Sequence, residues 1–238
     1  MSNVYRNSNI EKIKQYQKSD KLIVFTTSSE VFRNNFWLNL KEYKKNFDIC
    51  CINYSILYMD LYDVDINYFF SIDDDIFNEI KDEFSSKMKE SLFFTNKYMY
   101  QKDNKDELDS VIVTVKSSKI LNNDDNYSFN SGIACLHEFM RHGVYKEIHL
   151  IGLNLIPSSG GIVKRRRLFI PDRKGLYAQR RFENSVKIVK ILQNHYPKIK
   201  VFKTYEKSNI PGLELSDTFY TLKENVININ RKFKSIIL

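Results

Sequence analysis

The apolar residues of this chain fall in short runs, each ending on a polar or small residue. KLIVFTT (21–27) stops at two threonines, FDICCIN (47–53) ends at Asn53, and INYFFSI (66–72) runs into Asp73-Asp74-Asp75. SVIVTV (110–115), EIHLIG (147–152) and KIKVFKTY (198–205) repeat the pattern. Runs of this length, rich in β-branched and aromatic residues, read as buried strands. The stretches between them read as helices. Ser28 or Ser29 caps one with Trp37 and Leu40 on its inner face, and IFNEIKDEFSSKMKESL (76–92) has a helical pattern. A helix over 131–143 follows Asn130-Ser131-Gly132, and another over 182–195 ends near Pro197. Strands alternating with helices predict an α/β fold with a mostly parallel, Rossmann-like sheet and right-handed crossovers. Residues 1–19 are polar and read as a short helix or loose arm, with a single α/β domain over 20–238. Residues 156–181 show no clear period and read as a lid or insertion inside that domain.

Composition narrows the class. With 238 residues, 42% of them hydrophobic, the chain buries a real core, which excludes wholesale disorder. Cys50, Cys51 and Cys135 have no metal-site spacing, and the adjacent pair is unsuited to bonding with itself. A reducing, cytoplasmic setting follows. MSNVYRNSNIEKIKQ carries no apolar signal region, and no apolar run is long enough to span a bilayer. The expectation is a cytoplasmic protein, either free or peripheral on the inner face of the membrane. LKENVININRKFKSIIL at the C-terminus mixes Lys and Arg with Ile and Leu, which suits either an anionic membrane surface or a strand or helix completing the core.

Charge is concentrated. KRRRLFIPDRKGLYAQRR (164–181) holds eight Lys or Arg against one Asp, so it carries all but one unit of the chain's net +8. Such a segment suits a phosphate-gripping lid, a dock for an acidic glycan, or contact with anionic lipid or nucleic acid. Arg165, Arg166, Arg173 and Arg180 offer planar, bidentate capture of phosphate or carboxylate. Ser158-Ser159-Gly160-Gly161 before it supplies a hinge.

In a parallel sheet, ligands bind beyond the carboxyl ends of the strands. Here those ends carry Thr26-Thr27-Ser28, Asn53, Asp73, Gly152-Leu153-Asn154 and Thr204-Tyr205. The helix opening at Asn130-Ser131-Gly132 starts on the same edge, and a helix N-terminus suits a phosphate. SFNSG is not a nucleophile elbow, and no phosphate-binding P-loop is present.

NSGIACLHEFMRHGVYKEIHLIGLNL (130–155) resembles the "T-S-G, helix, G-Y-K-E-I-Y-L-x-G-x-D" segment of bacterial lipooligosaccharide sialyltransferases. It is also similar to flagellin- and capsule-associated proteins with a related Rossmann-like domain. The resemblance spans roughly residues 20–205 and is specific over 130–154. It implies a variant GT-A-type glycosyltransferase domain that transfers sialic acid or a related acidic keto-sugar, with inversion. The donor would be a CMP ester and the acceptor a surface glycan or glycolipid. Carried over by position, Ser131 and Gly132 with Asn130 lie at the donor phosphate. Asn53, Thr27 and Ser28 hold the nucleotide or donor sugar, Gly152 and Asn154 lie by the cytidine or ribose, and Tyr177 joins the arginines of the lid.

The chain departs from that family at three places. The first strand ends in Thr26-Thr27-Ser28-Ser29 where the family has a Gly-Asn-Gly-Pro-Ser turn, so the backbone approaches a ligand less closely. The Asn that follows the family's third strand is replaced by Asp73 or a neighbour. The family's general-base His falls where this chain has Arg180-Arg181-Phe182, and His137, His142, His149 and His195 all lie elsewhere. Asp73 is the replacement base the residues offer, since a carboxylate with a raised pKa can deprotonate a hydroxyl. Asp73 and Asp75 also have D-x-D spacing, which in a metal-dependent UDP- or GDP-sugar transferase would hold Mg²⁺ or Mn²⁺. The basic lid favours a metal-free CMP donor, whose single phosphate arginines can neutralise, so no cofactor is required. A non-catalytic Rossmann-like module docking nucleic acid or another anionic partner through 164–181 is the reading from a different class. The oligomeric state is not written in the sequence.

Overall fold

The computed structural model describes residues 3–26, 40–56, 59, 63–80, 90–95, 111–113, 130–153, 161–163, 168–170, 176–204 and 212–215. Helix α1 (Asn3–Tyr16) precedes strand β1 (Lys21–Phe25). The short α2 (Leu40–Tyr43) leads to β2 (Asp48–Ile52), β3 (Tyr68–Phe70), α3 (Asp74–Ile80), β4 (Leu92–Thr95) and β5 (Val111–Val113). Then follow α4 (Ser131–His142), β6 (Glu147–Ile151), a hairpin of β7 (Gly161–Val163) and β8 (Leu168–Ile170), α5 (Leu176–His195), β9 (Lys200–Lys203) and β10 (Glu214–Leu215).

Eight strands form one sheet in the order β10-β9-β6-β1-β2-β3-β4-β5, with every pairing parallel. The α/β, Rossmann-like expectation is met. The strands are continuous apolar runs because a parallel sheet is covered on both faces. On one face Leu22, Val24, Cys50, Ile52, Tyr68, Phe70 and Phe94 share a core with Ile133, Leu136, Phe139 and Met140 of α4, Ile188 and Leu192 of α5, and Ile13 of α1. On the other, Phe69 stacks on Phe93 at 5.4 Å, and Phe93 on Phe77 of α3 at 5.0 Å. Each such aromatic contributes on the order of 1.5–3 kcal/mol by burial.

Of the two readings of the N-terminal stretch the helix is the one seen, over residues 3–16, with Ile13 fully buried in the main core. Two segments differ from the sequence reading. LFFT (92–95), which the sequence reading assigned partly to a helix, is the buried strand β4. The 156–181 segment contains the antiparallel β7–β8 hairpin, and α5 begins at Leu176, inside the stretch read as lid.

Candidate functional site

The chain order reverses between β1 and β6. From β1 the sheet runs one way through β2 to β5 and the other way through β6, β9 and β10. In an open α/β sheet the carboxyl edge at such a reversal is the usual ligand position. Thr26 closes the seam itself: its N–H donates to the Ile151 carbonyl at 2.9 Å and its hydroxyl to the same oxygen at 3.2 Å. Ser55 accepts from the Ile52 N–H at 2.7 Å and donates to the Phe25 carbonyl at 2.8 Å, joining the ends of β1 and β2. Thr204 donates to Leu150 at 2.8 Å. These hydroxyls are committed to holding the strand ends together.

Asn53 is different. It follows β2 with φ of 52°, a left-handed conformation that Asn tolerates better than most residues. Its Nδ2 donates to the Ser131 Oγ at 3.4 Å, which brings the end of β2 to the first residue of α4. Its Oδ1 is buried and has no hydrogen-bond partner among the described residues. Buried acceptors in folded proteins are nearly always paired, so an orphan at a sheet's ligand edge points to a missing donor.

At the start of α4 the helix caps itself. Asn130 Oδ1 accepts from the Gly132 N–H at 2.8 Å, and the Asn130 carbonyl accepts from Ile133 and Ala134 at 2.9 and 3.1 Å. Of the first-turn donors, the N–H and hydroxyl of Ser131 remain for a ligand, together with the positive end of the helix dipole. Gly132 serves packing: a Cβ there would lie 2.9 Å from Leu153 Cδ1. Gly152, with φ of 77°, makes the left-handed turn off β6 that carries Leu153 back over Gly132. The three residues therefore differ in what they do in the fold: Asn130 caps the helix, Ser131 meets Asn53, and Gly132 leaves room for Leu153.

Asp73 precedes α3, accepting from the Ile76 N–H at 3.4 Å with its side chain and from the Phe77 N–H at 3.0 Å with its carbonyl. Its helix packs against the turn formed by Asn53–Ser55. Sequence reasoning missed Ser71. The register that pairs Ile52 with Phe70 brings Asn53 and Ser71 to neighbouring strand ends. Ser71 is fully buried, and its hydroxyl has no partner among the described residues. The signal was present as the first polar residue after YFF, two positions before the more conspicuous acids.

Thr27, Ser28, Asn154, Arg165, Arg166 and Arg173 lie outside the described residues, as do the side chains of Asp75, Tyr177 and Arg180. Among the described residues, no group of three or more His, Cys, Asp or Glu side chains converges as a metal site. Among them also, no helix is long and apolar enough to cross a membrane.

The histidines occupy structural positions. His149, in mid-β6, is stacked on Phe202 at 4.7 Å and edge-on to Phe47 at 5.0 Å, with its Nε2 3.5 Å from Glu147. Burial pushes its pKa down to about 4 against the opposing pull of Glu147. His137 on α4 is held down to about 4 by burial, with Arg141 and His142 adding to the effect.

No protein-family model matches the sequence, and comparison with curated proteins finds no match. Among solved structures, the fold is similar to that of the MAf glycosyltransferase from Magnetospirillum magneticum AMB-1, with a TM-score of 0.55 and 8% sequence identity. The similarity covers 98% of this chain and 42% of that one, so the chain spans less than half the length of that protein. The shared property is the α/β fold.

Proposed function

We propose that this chain is a glycosyltransferase that takes an acidic sugar, sialic acid or a related keto-sugar, from a CMP ester and passes it to a hydroxyl of a surface glycan. The observation that carries the reading is the corner formed by Asn53 and Ser131, with a buried, unpartnered amide oxygen at the strand-order reversal. The donor types divide the ligand. Asn53 Oδ1 only accepts, so it faces an amine or hydroxyl of the nucleoside or sugar. The Ser131 hydroxyl and N–H donate, so they face the phosphate at the helix N-terminus. The orphan hydroxyl of Ser71 lies one strand further along and suits the same ligand. Thr27, Ser28, Gly152 and Asn154 complete the nucleotide end in this reading, and the arginines of 164–181 with Tyr177 neutralise the departing phosphate.

In the reaction the acceptor oxygen attacks the anomeric carbon on the face opposite CMP. The bond to the phosphate oxygen breaks, and CMP leaves with the electron pair. Asp73 takes the acceptor proton; it opens the helix that packs on the Asn53–Ser55 turn. CMP has one phosphate, so cationic side chains and amides can stabilise it without a metal.

Thermal unfolding with CMP, CDP, UDP and GDP, each with and without Mn²⁺, tests the donor class. Saturating CMP is expected to stabilise the fold by about 2.7 kcal/mol at a hundred times its dissociation constant, without Mn²⁺. Ser131→Trp, which fills the corner, abolishes the shift. A shift that needs UDP or GDP together with Mn²⁺ and disappears in Asp73→Asn would replace this reading with a metal-dependent transferase. Absence of a shift with all four would leave the basic segment as a docking surface on a non-catalytic module.

A further inference from the structure

Cys50 and Cys135 are 85 residues apart in sequence, yet their sulfurs lie 3.5 Å apart. Both are fully buried free thiols. Their positions tie them to the candidate site. Cys50 is on β2, three residues before Asn53, and Cys135 is on α4, one turn after Ser131. The thiol contact and the Asn53–Ser131 contact therefore join the same two elements at neighbouring levels. Cys51, the next residue on β2, alternates to the opposite face of the sheet and is excluded from the pair.

We propose that Cys50 and Cys135 form a reversible disulfide that acts as an oxidative lock on the ligand site, a regulation that rests on the nucleotide-binding reading above. The oxidant is a hydroperoxide. One thiol sulfur attacks the peroxide, the O–O bond breaks, and a sulfenic acid forms as the alcohol or water departs. The second thiol then attacks the sulfenic sulfur, the S–O bond breaks, and water leaves with both remaining protons accounted for. Two thiols are oxidised to one disulfide and one peroxide is reduced. Contact between the sulfurs favours the second step over further oxidation.

Burial sets the sensitivity. Desolvation holds the Cys50 thiol protonated far above the ordinary range, so the first step is slow and bulky thiol reagents are excluded. A small peroxide acting over hours is the matching stimulus. Closing the bond brings the sulfurs to about 2.05 Å, drawing α4 towards β2. That shortens the existing 3.4 Å contact between Asn53 and Ser131 and narrows the corner that the ligand would enter.

The test uses the full chain. Hydrogen peroxide treatment is expected to lower the intact mass by two hydrogens. Non-reducing peptide mapping will then join the Cys50 and Cys135 peptides. A loop of this length raises the melting temperature by roughly 10 °C through restriction of the unfolded chain. The CMP-induced shift of the oxidised protein falls at least fivefold in apparent affinity, and dithiothreitol restores it. Cys135→Ala shows none of these responses while keeping the CMP shift, and Cys51→Ala retains all of them. Oxidation to sulfinic acid without a cross-link would overturn the proposal. So would a cross-linked protein that binds CMP as well as the reduced one. Should the reduced protein ignore CMP and the other nucleotides, the donor-site reading fails and the lock on it fails too. The mass and melting arms would still report separately whether the disulfide forms.

Discussion

Lowering the pH from 7.5 to 5.0 will cost this fold about 4 kcal/mol, and two buried histidines account for it. Burial holds the pKa of His137 and of His149 at about 4 in the folded state, against an ordinary value of 6.5. A depressed folded pKa means that the native state keeps the ring neutral while the unfolded chain binds a proton. Above pH 6.5 neither state is protonated and the fold keeps its full stability. Between 6.5 and 4 the unfolded state binds more protons, so stability falls as pH falls. The limiting loss is about 3 kcal/mol per ring, and by pH 5 roughly 2 kcal/mol of it has been lost for each. That is a large share of an ordinary domain's 5–15 kcal/mol. Urea unfolding at the two pH values checks it through the midpoint. His149→Phe, placed between Phe47 and Phe202, is expected to remove about half of the dependence. A midpoint that does not move between pH 7.5 and 5.0 would show that these rings titrate normally.

The second large effect lies at the opposite, amino edge of the sheet. Asp48 is 1% exposed, and its carboxylate accepts from the Tyr145 hydroxyl at 2.7 Å, Asn67 Nδ2 at 3.0 Å, and the N–H groups of Lys18 and Ser19 at 3.0 and 3.3 Å. Asn67 also donates to the Tyr16 carbonyl at 2.7 Å and accepts from Lys44, whose pKa is lowered by burial. The Tyr68 hydroxyl donates to the Ile13 carbonyl at 3.1 Å. Burial raises the pKa of both tyrosines, so they stay protonated and keep donating. This network fastens α1 and the chain after it to β2 and β3. Asp48→Ala strands several buried donors at once and is expected to cost about 3–5 kcal/mol. Asp48→Asn, which keeps an acceptor oxygen, loses about half as much. Chemical denaturation measures the loss, and hydrogen exchange localises it as faster exchange over residues 13–19. Equal stability of Asp48→Ala and the parent would mean that the network holds nothing.

The fold was legible where burial on both sheet faces wrote long apolar runs. KLIVF, DICCI, YFF, VIV and EIHLI all read as strands because a parallel sheet tolerates few polar positions. LFFT was hidden because four apolar residues directly after a helical pattern continue that pattern as easily as they break it. The β7–β8 strands have three residues each, too few for a period to show. At the site, Asn53 and Ser131 were legible as a strand end and a helix start, and their meeting follows from the topology. What sequence left unread is orientation. Thr26 and Thr204 look like ligand groups in the sequence but are spent on neighbouring carbonyls, and Ser71 looks ordinary but is an orphan. Asp48 was read only as part of a strand, since nothing local shows that Lys18, Ser19, Asn67 and Tyr145 converge on it.

Binding of a nucleotide at the Asn53–Ser131 corner is tested most directly by Asn53→Gly. Glycine accepts the φ of 52° without strain, so the backbone turn survives while the amide is removed. The measurement is CMP affinity by titration calorimetry, beside the melting temperature of each protein. Asn53→Gly is expected to melt within a few degrees of the parent and to bind CMP on the order of tenfold or more weakly, the worth of a buried hydrogen bond. CMP binding of equal strength in both proteins would contradict it, as would a parent protein that does not bind CMP.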